Sequence, residues 1–162
     1  MAIKYFVIDT NVFIAANRKA EHLCDEDIDK CRLFVTSLFS DTVISLDLQG
    51  EIFTEYMKYL NLSGQPDISD HYFKYIWDRQ HNRKICEMVD ISKNKKGIYK
   101  QLNNKNDLLK FDQNDQKFIA VCLGSKNQAK ICNATDSDWK NNKTLLSKHN
   151  IEVLEVLQEP TP

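Results

Sequence analysis

Seven acidic side chains stand where carboxylates can do more than solvate a surface: Asp9, Glu51, Glu55, Asp112, Asp115, Asp136 and Asp138. Asp9 directly follows the apolar run Ile3-Lys4-Tyr5-Phe6-Val7-Ile8, which reads as a strand buried on both faces of a parallel sheet. It therefore stands at the carboxyl end of a strand, the edge where open α/β sheets place their ligands. Asp9-Thr10-Asn11 is equally a good helix N-cap. Glu51 and Glu55 lie one helical turn apart beside Leu48 and Ile52, so at least one sits on the shoulder facing the sheet. Asp115 precedes Phe118, Ile119, Cys122 and Leu123 and continues their buried stripe toward the helix start. Asp112, three residues earlier, is placed to cap that helix. Asp136 and Asp138 follow the short strand Lys130–Asn133, and Asp138 is also placed to cap the next helix. Singly these are ordinary residues. Together they bring four carboxylates from four separated elements to one end of one sheet, where mutual repulsion calls for a cation. No His or Cys shares these positions, so the hard oxygen ligands favour Mg²⁺ or Mn²⁺ over zinc.

The elements that must position these acids alternate between strand and helix. Strands are expected at Ile3–Ile8, Thr42–Leu46, near Cys86–Ile91, at Lys130–Asn133 and, as an edge strand, at Ile151–Leu157. Helices are expected at about Asp25–Phe39, Leu48–Leu62, Ile68–Gln80 and Gln113–Gly124, where the glycine suits a helix C-terminus. The resulting fold is α/β: three layers, α/β/α, around a mostly parallel sheet of four to five strands. Residues 83–110 carry no clear period beyond the short strand and read as a Lys/Asn-rich, partly helical excursion. One domain spanning 1–162 accommodates this length.

Composition narrows the classes. With 22 basic and 23 acidic residues the formal net charge is −1, which argues against wholesale polyanion binding but leaves room for a local basic patch. Four glycines and three prolines exclude collagen-like and Pro-rich disordered chains. Five cysteines without a CxxC pair indicate neither a disulfide framework nor a zinc ribbon. The absence of a membrane-length apolar run or signal peptide makes the cytoplasm the expected location, with no membrane partner.

Four segments in this order resemble a PIN-domain nuclease, toxin-like and small: Tyr5-Phe6-Val7-Ile8-Asp9-Thr10-Asn11; Ile44-Ser45 with Glu51-Ile52; Asp112-Gln113-Asn114-Asp115-Gln116-Lys117-Phe118-Ile119; and Ala134-Thr135-Asp136-Ser137-Asp138-Trp139. The resemblance covers essentially the whole chain. It implies that Asp9, Glu51, Asp115 and Asp136 form an acidic catalytic tetrad, with Asp138 a further metal-side carboxylate at the rim. Thr10 and Asn11 match the polar positions that orient the first Asp or a water. Glu55 competes with Glu51 for the second acidic place; the distance from Ser45 favours Glu51. Two departures stand out. Ala134 occupies a place where the family usually has Ser or Thr, and residues 67–110 match no family motif.

The resemblance further implies cleavage of RNA phosphodiester bonds with one or two Mg²⁺ or Mn²⁺ ions, leaving a 5′ phosphate. Small members are often toxins of bacterial toxin–antitoxin pairs and often homodimers, so an antitoxin protein and a second copy of the chain are the implied protein partners. For the RNA itself, residues 93–110 hold six lysines against one aspartate. Within them Lys93, Lys95, Lys96 and Lys100 are the candidate backbone contacts, and Tyr99 is the candidate base-stacking ring. The alternatives are a PIN-like module that binds RNA or protein without cutting, against which the full set of acids argues, and a haloacid-dehalogenase-type phosphohydrolase. The latter requires Asp-x-Asp after the first strand, where this chain has Asp9-Thr10-Asn11.

Overall fold

The computed structural model describes residues 2–157. A five-stranded, all-parallel sheet forms its centre, in the order β3-β2-β1-β4-β5. The strands are β1 (Lys4–Ile8), β2 (Thr42–Asp47), β3 (Cys86–Val89), β4 (Lys130–Asn133) and β5 (Val153–Glu155). The helices are α1 (Thr10–Ala16), α2 (Asp25–Ser37), α3 (Glu51–Tyr56), α4 (Ile68–Asp78), α5 (Gln113–Gly124), α6 (Ser137–Asn141) and α7 (Lys143–Lys148). The chain moves outward from β1 to β2 and β3, then returns to the far side of β1. Right-handed crossovers with that order put α1, α2 and α4 on one face and α5 on the other. The contacts agree: α1, α2 and α4 touch one another, while α5 packs across β1, β2 and β4. Val7, Ile8, Ile44, Ile131 and Cys132 are fully enclosed in the middle strands, as continuous apolar runs require.

The connection reverses direction between β1 and β4. In such a sheet the loops leaving these two strands diverge to opposite faces and open a crevice at their carboxyl ends. Asp9 leaves β1 there, and the loop carrying Asp136 leaves β4 beside it.

The expected elements differ from the observed ones at several places. The helix expected over Leu48–Leu62 exists only as Glu51–Tyr56. Gly50 holds the left-handed φ of 78° that breaks the chain before it, and the chain turns again after Tyr56. Leu48, Met57 and Tyr59, which a helix over Leu48–Leu62 would include, are exposed. Residues 90–111 contain no longer helix, only the 3₁₀ turns Lys100–Leu102 and Leu108–Lys110. Buried Ile91, Tyr99, Leu102, Leu108 and Phe111 anchor this segment one at a time. Gly124 closes α5 as expected, without a left-handed φ. It ends α5 where a Cβ would lie 2.4 Å from Val89 Cγ1, so only glycine lets the helix approach β3 this closely. The edge strand is shorter than expected, three residues, and the last five residues of the expected 1–162 domain lie outside the described residues.

Candidate functional site

Asp9, Asp115 and Asp136 converge at the crevice: one carboxylate oxygen from each lies within 4.8 Å of the others. Three helix starts deliver them. Asp9 is the N-cap of α1 and accepts the Asn11 backbone N–H at 3.2 Å. Asp115 sits in the first turn of α5, and Asp136 is the N-cap of α6, accepting the Asp138 N–H at 2.8 Å. The positive ends of three helix dipoles therefore face the cluster and offset part of its repulsion. Capping and clustering, which the sequence leaves as alternatives for Asp9, are both realised by the same side chain.

Asp9 is held from two sides. Its second oxygen accepts the indole N–H of fully buried Trp139 at 2.6 Å, and Phe111 stacks on that indole with ring centroids 5.6 Å apart. Each Asp9 oxygen thus has one fixed donor and a lone pair left for a ligand. Burial pushes the Asp9 pKa up to about 6 against the pull of the Trp139 and Asn11 hydrogen bonds, with the Glu55 and Asp136 charges adding to the rise. Asp115 is pushed up to about 7, by burial first and then by Asp9, Asp136, Asp112 and Asp138. Burial and like charge thus both disfavour ionisation at the cluster, and a cation there would relieve the repulsion.

Asn11 fixes the loop that presents Asp136. Its amide donates to Asn133 Oδ1 at 3.0 Å, and its oxygen accepts the Ala134 and Thr135 backbone N–H groups at 2.8 and 3.2 Å. Asn133 in turn donates to the Asp136 carbonyl and to Glu155, each at 2.8 Å, and accepts the Asp136 N–H at 3.0 Å. This network gives Asn11 a loop-positioning part; Asp9 meets only its backbone.

The two glutamates that compete for the second acidic place have different partners, and neither joins the three-oxygen group. Glu51 accepts the Tyr99 hydroxyl at 3.0 Å and lies 3.7 Å from the Lys93 ammonium. Glu55 is the glutamate beside Asp9. It accepts the Thr10 hydroxyl at 2.6 Å and the Lys117 ammonium at 2.9 Å. Thr10 accordingly orients Glu55 through its side chain. Asp138 is exposed and stands outside the three-oxygen group, at its rim. Asp112 caps α5 by accepting the Asn114 N–H at 3.0 Å.

Tyr99 is corrected as a stacking ring. It is 5% exposed, its hydroxyl is spent on Glu51, and Lys93 covers it at 4.7 Å. Lys100 is paired with Asp90 at 2.7 Å. Lys95 and Lys96 remain exposed and in no ion pair among the described residues.

Sequence reasoning gave no role to Lys117, Trp139 or Asn133. Lys117 carried a signal, being a charge inside the otherwise buried run Gln116–Cys122. Trp139 stands three residues past Asp136, the spacing that turns a helical side chain back toward its N-cap.

Three carboxylates with no cation among them fit a hard divalent ion. Oxygens around one Mg²⁺ lie at most about 4.2 Å apart, so small side-chain rotations close these three round an ion. No helix among the described residues is long and apolar enough to cross a membrane. No family profile and no curated protein matches the chain. Among solved structures the chain is similar to VapBC2 from Rickettsia felis bound to a DNA fragment from their promoter, with 12% identity over 93% of this chain and 98% of that chain and a TM-score of 0.45.

Proposed function

We propose that the protein is a PIN-like, divalent-metal-dependent nuclease that hydrolyses RNA phosphodiester bonds. The observation that carries the reading is the convergence of Asp9, Asp115 and Asp136 at the crevice between β1 and β4, where burial and mutual repulsion raise the pKa of Asp9 and Asp115 and a cation would relieve that repulsion. A divalent ion bound there, Mg²⁺ or Mn²⁺, supplies positive charge and Lewis acidity against a phosphodiester. The protein's own part is positioning. Trp139 and the Asn11 N–H hold Asp9 in one rotamer. Asn11 and Asn133 set the height of the Asp136 loop. In the hydrolysis, water oxygen bonds to phosphorus, the P–O3′ bond breaks, and the water's proton ends on the 3′ oxygen, leaving a 5′ phosphate.

For the substrate backbone, Lys95 and Lys96 are the lysines of the 93–100 segment that remain open to phosphate. This segment continues into the 3₁₀ turns that pack on α5, the helix carrying Asp115. The antitoxin and the second copy implied by the sequence resemblance remain the proposed protein partners, and the cytoplasm the proposed location.

The test is cleavage of labelled single-stranded and hairpin RNA by the wild type, Asp9→Asn and Asp115→Asn, with Mn²⁺, Mg²⁺ or EDTA. Cutting is expected with either metal and lost with EDTA. Each variant should lose on the order of 10²-fold or more in rate, the scale of removing a preorganised electrostatic group. Metal-independent cutting, or cutting that survives both substitutions, overturns the reading. An inactive protein that still binds RNA would be the non-cutting module.

A further inference from the structure

Beside the three aspartates lies a fourth acid whose oxygens are already committed, and a buried lysine is the reason. Lys117, two residues past Asp115 on α5, is 7% exposed. Its ammonium donates to Glu55 Oε1 at 2.9 Å and to the Asn114 carbonyl, and lies 5.0 Å from the Phe118 ring centre. The other Glu55 oxygen accepts the Thr10 hydroxyl at 2.6 Å. An ammonium stripped of this much water persists only where a carboxylate and backbone oxygens replace its hydration. The pair comes from helices that meet only in the folded chain, α3 and α5, and it sits close enough to Asp9 for the Glu55 charge to act on that carboxyl.

We infer that Lys117 is the fixed counter-cation of Glu55, standing where a second divalent ion would otherwise bind, so that the acidic edge takes a single divalent ion between Asp9, Asp115 and Asp136. The inference rests on the metal-dependent reading above and deepens it. A second ion would need an oxygen from Glu55, and taking it would leave the Lys117 ammonium enclosed without its partner. Without Lys117 the Glu55 carboxylate would join the three aspartates as a further unneutralised oxygen donor, open to a second hard cation. Lys117 is in this sense a positioning residue: it holds Glu55 and fixes how many cations the edge accepts.

Calorimetric titration of Mn²⁺ into the metal-free protein at neutral pH tests this without reference to catalysis. The wild type is expected to bind one Mn²⁺ per chain. Lys117→Met is expected to bind two, because Glu55 is released. The double variant Lys117→Met/Glu55→Gln, which buries no unpaired charge, is expected to return to one. Circular dichroism reports whether each variant is folded. Should Lys117→Met alone not fold, the wild type and the double variant decide: one ion in both supports the inference. Two ions in the wild type, one ion in folded Lys117→Met, or loss of binding in the folded double variant overturns it. A wild type that binds no Mn²⁺ overturns instead the metal-dependent reading on which the inference stands.

Discussion

Trp139 is the side chain through which the hydrophobic core holds the acidic cluster. Its indole is fully buried, stacked on Phe111, and aimed by that packing at one oxygen of Asp9. Trp139→Phe keeps an aromatic ring against Phe111 but deletes the donor. Removing an outer partner of this kind typically weakens metal binding about 10–100-fold, and that loss is the expected fall in Mn²⁺ affinity. The sign with pH follows. The Trp139 hydrogen bond lowers the Asp9 pKa, so its loss lets the proton compete harder, and the deficit should be larger at pH 6 than at pH 8. Stability should drop by about 1–3 kcal/mol, since a buried acceptor loses its donor. Calorimetry at both pH values checks this; an unchanged affinity would mean that Asp9 is not a ligand.

The element that delivers Glu55 is anchored by a residue outside the helix. Gly50 offers no side chain to cap α3, and Asp47 at the end of β2 does so instead. Its two oxygens accept the Glu51 and Ile52 N–H groups at 2.7 and 2.8 Å, and the residue is 1% exposed. Asp47→Ala should therefore cost about 1–2 kcal/mol, the range for a lost cap, measured by urea unfolding. Leu48→Ser should stay within about 0.5 kcal/mol, as for other surface changes. A helix running from Leu48 would reverse that order. This contrast also marks how far the sequence could be read. β1, α5 and β4 were legible because each is a run long and apolar enough to show its period. α3 was not, since six residues between a left-handed glycine and a turn carry too little period. Residues 90–111 bury their apolar side chains singly from irregular backbone, which leaves no period at all. Asp9, Asp115 and Asp136 were readable from their places after strands or in a first helical turn. The different partners of Glu51 and Glu55 were not, because Thr10 and Lys117 stand 45 and 62 residues away from Glu55 in the chain.

The whole molecule carries the cost of keeping these carboxylates together, and that cost depends on pH. The pKa values of Asp9 and Asp115 rise from 3.8 to about 6 and about 7 in the folded chain. The folded state therefore holds these protons more tightly than the unfolded state. The stabilisation is fully present below the unfolded pKa of about 4 and is lost as pH rises through the folded values. Asp90 acts in the opposite sense, held well below the usual carboxylate range by hydrogen bonds from Lys100 and Gln49. Its contribution is lost only in acid, outside this window. The metal-free protein should accordingly melt at progressively lower temperature from about pH 4 to about pH 7 and level off above it, the window these two carboxyls set. A divalent ion held by the ionised cluster, as proposed, would reverse the trend, stabilising by about 2.7 kcal/mol at a hundred times its Kd. Mn²⁺ should thus raise Tm little near pH 5 and most near pH 8, and metal-free, EDTA-treated protein sets the baseline. Asp115→Asn removes the most strongly raised carboxyl of the cluster. It should flatten the metal-free slope and abolish most of the Mn²⁺ gain together. A variant that flattens the slope yet keeps the full Mn²⁺ gain would separate the two effects and show that the ion sits elsewhere in the fold.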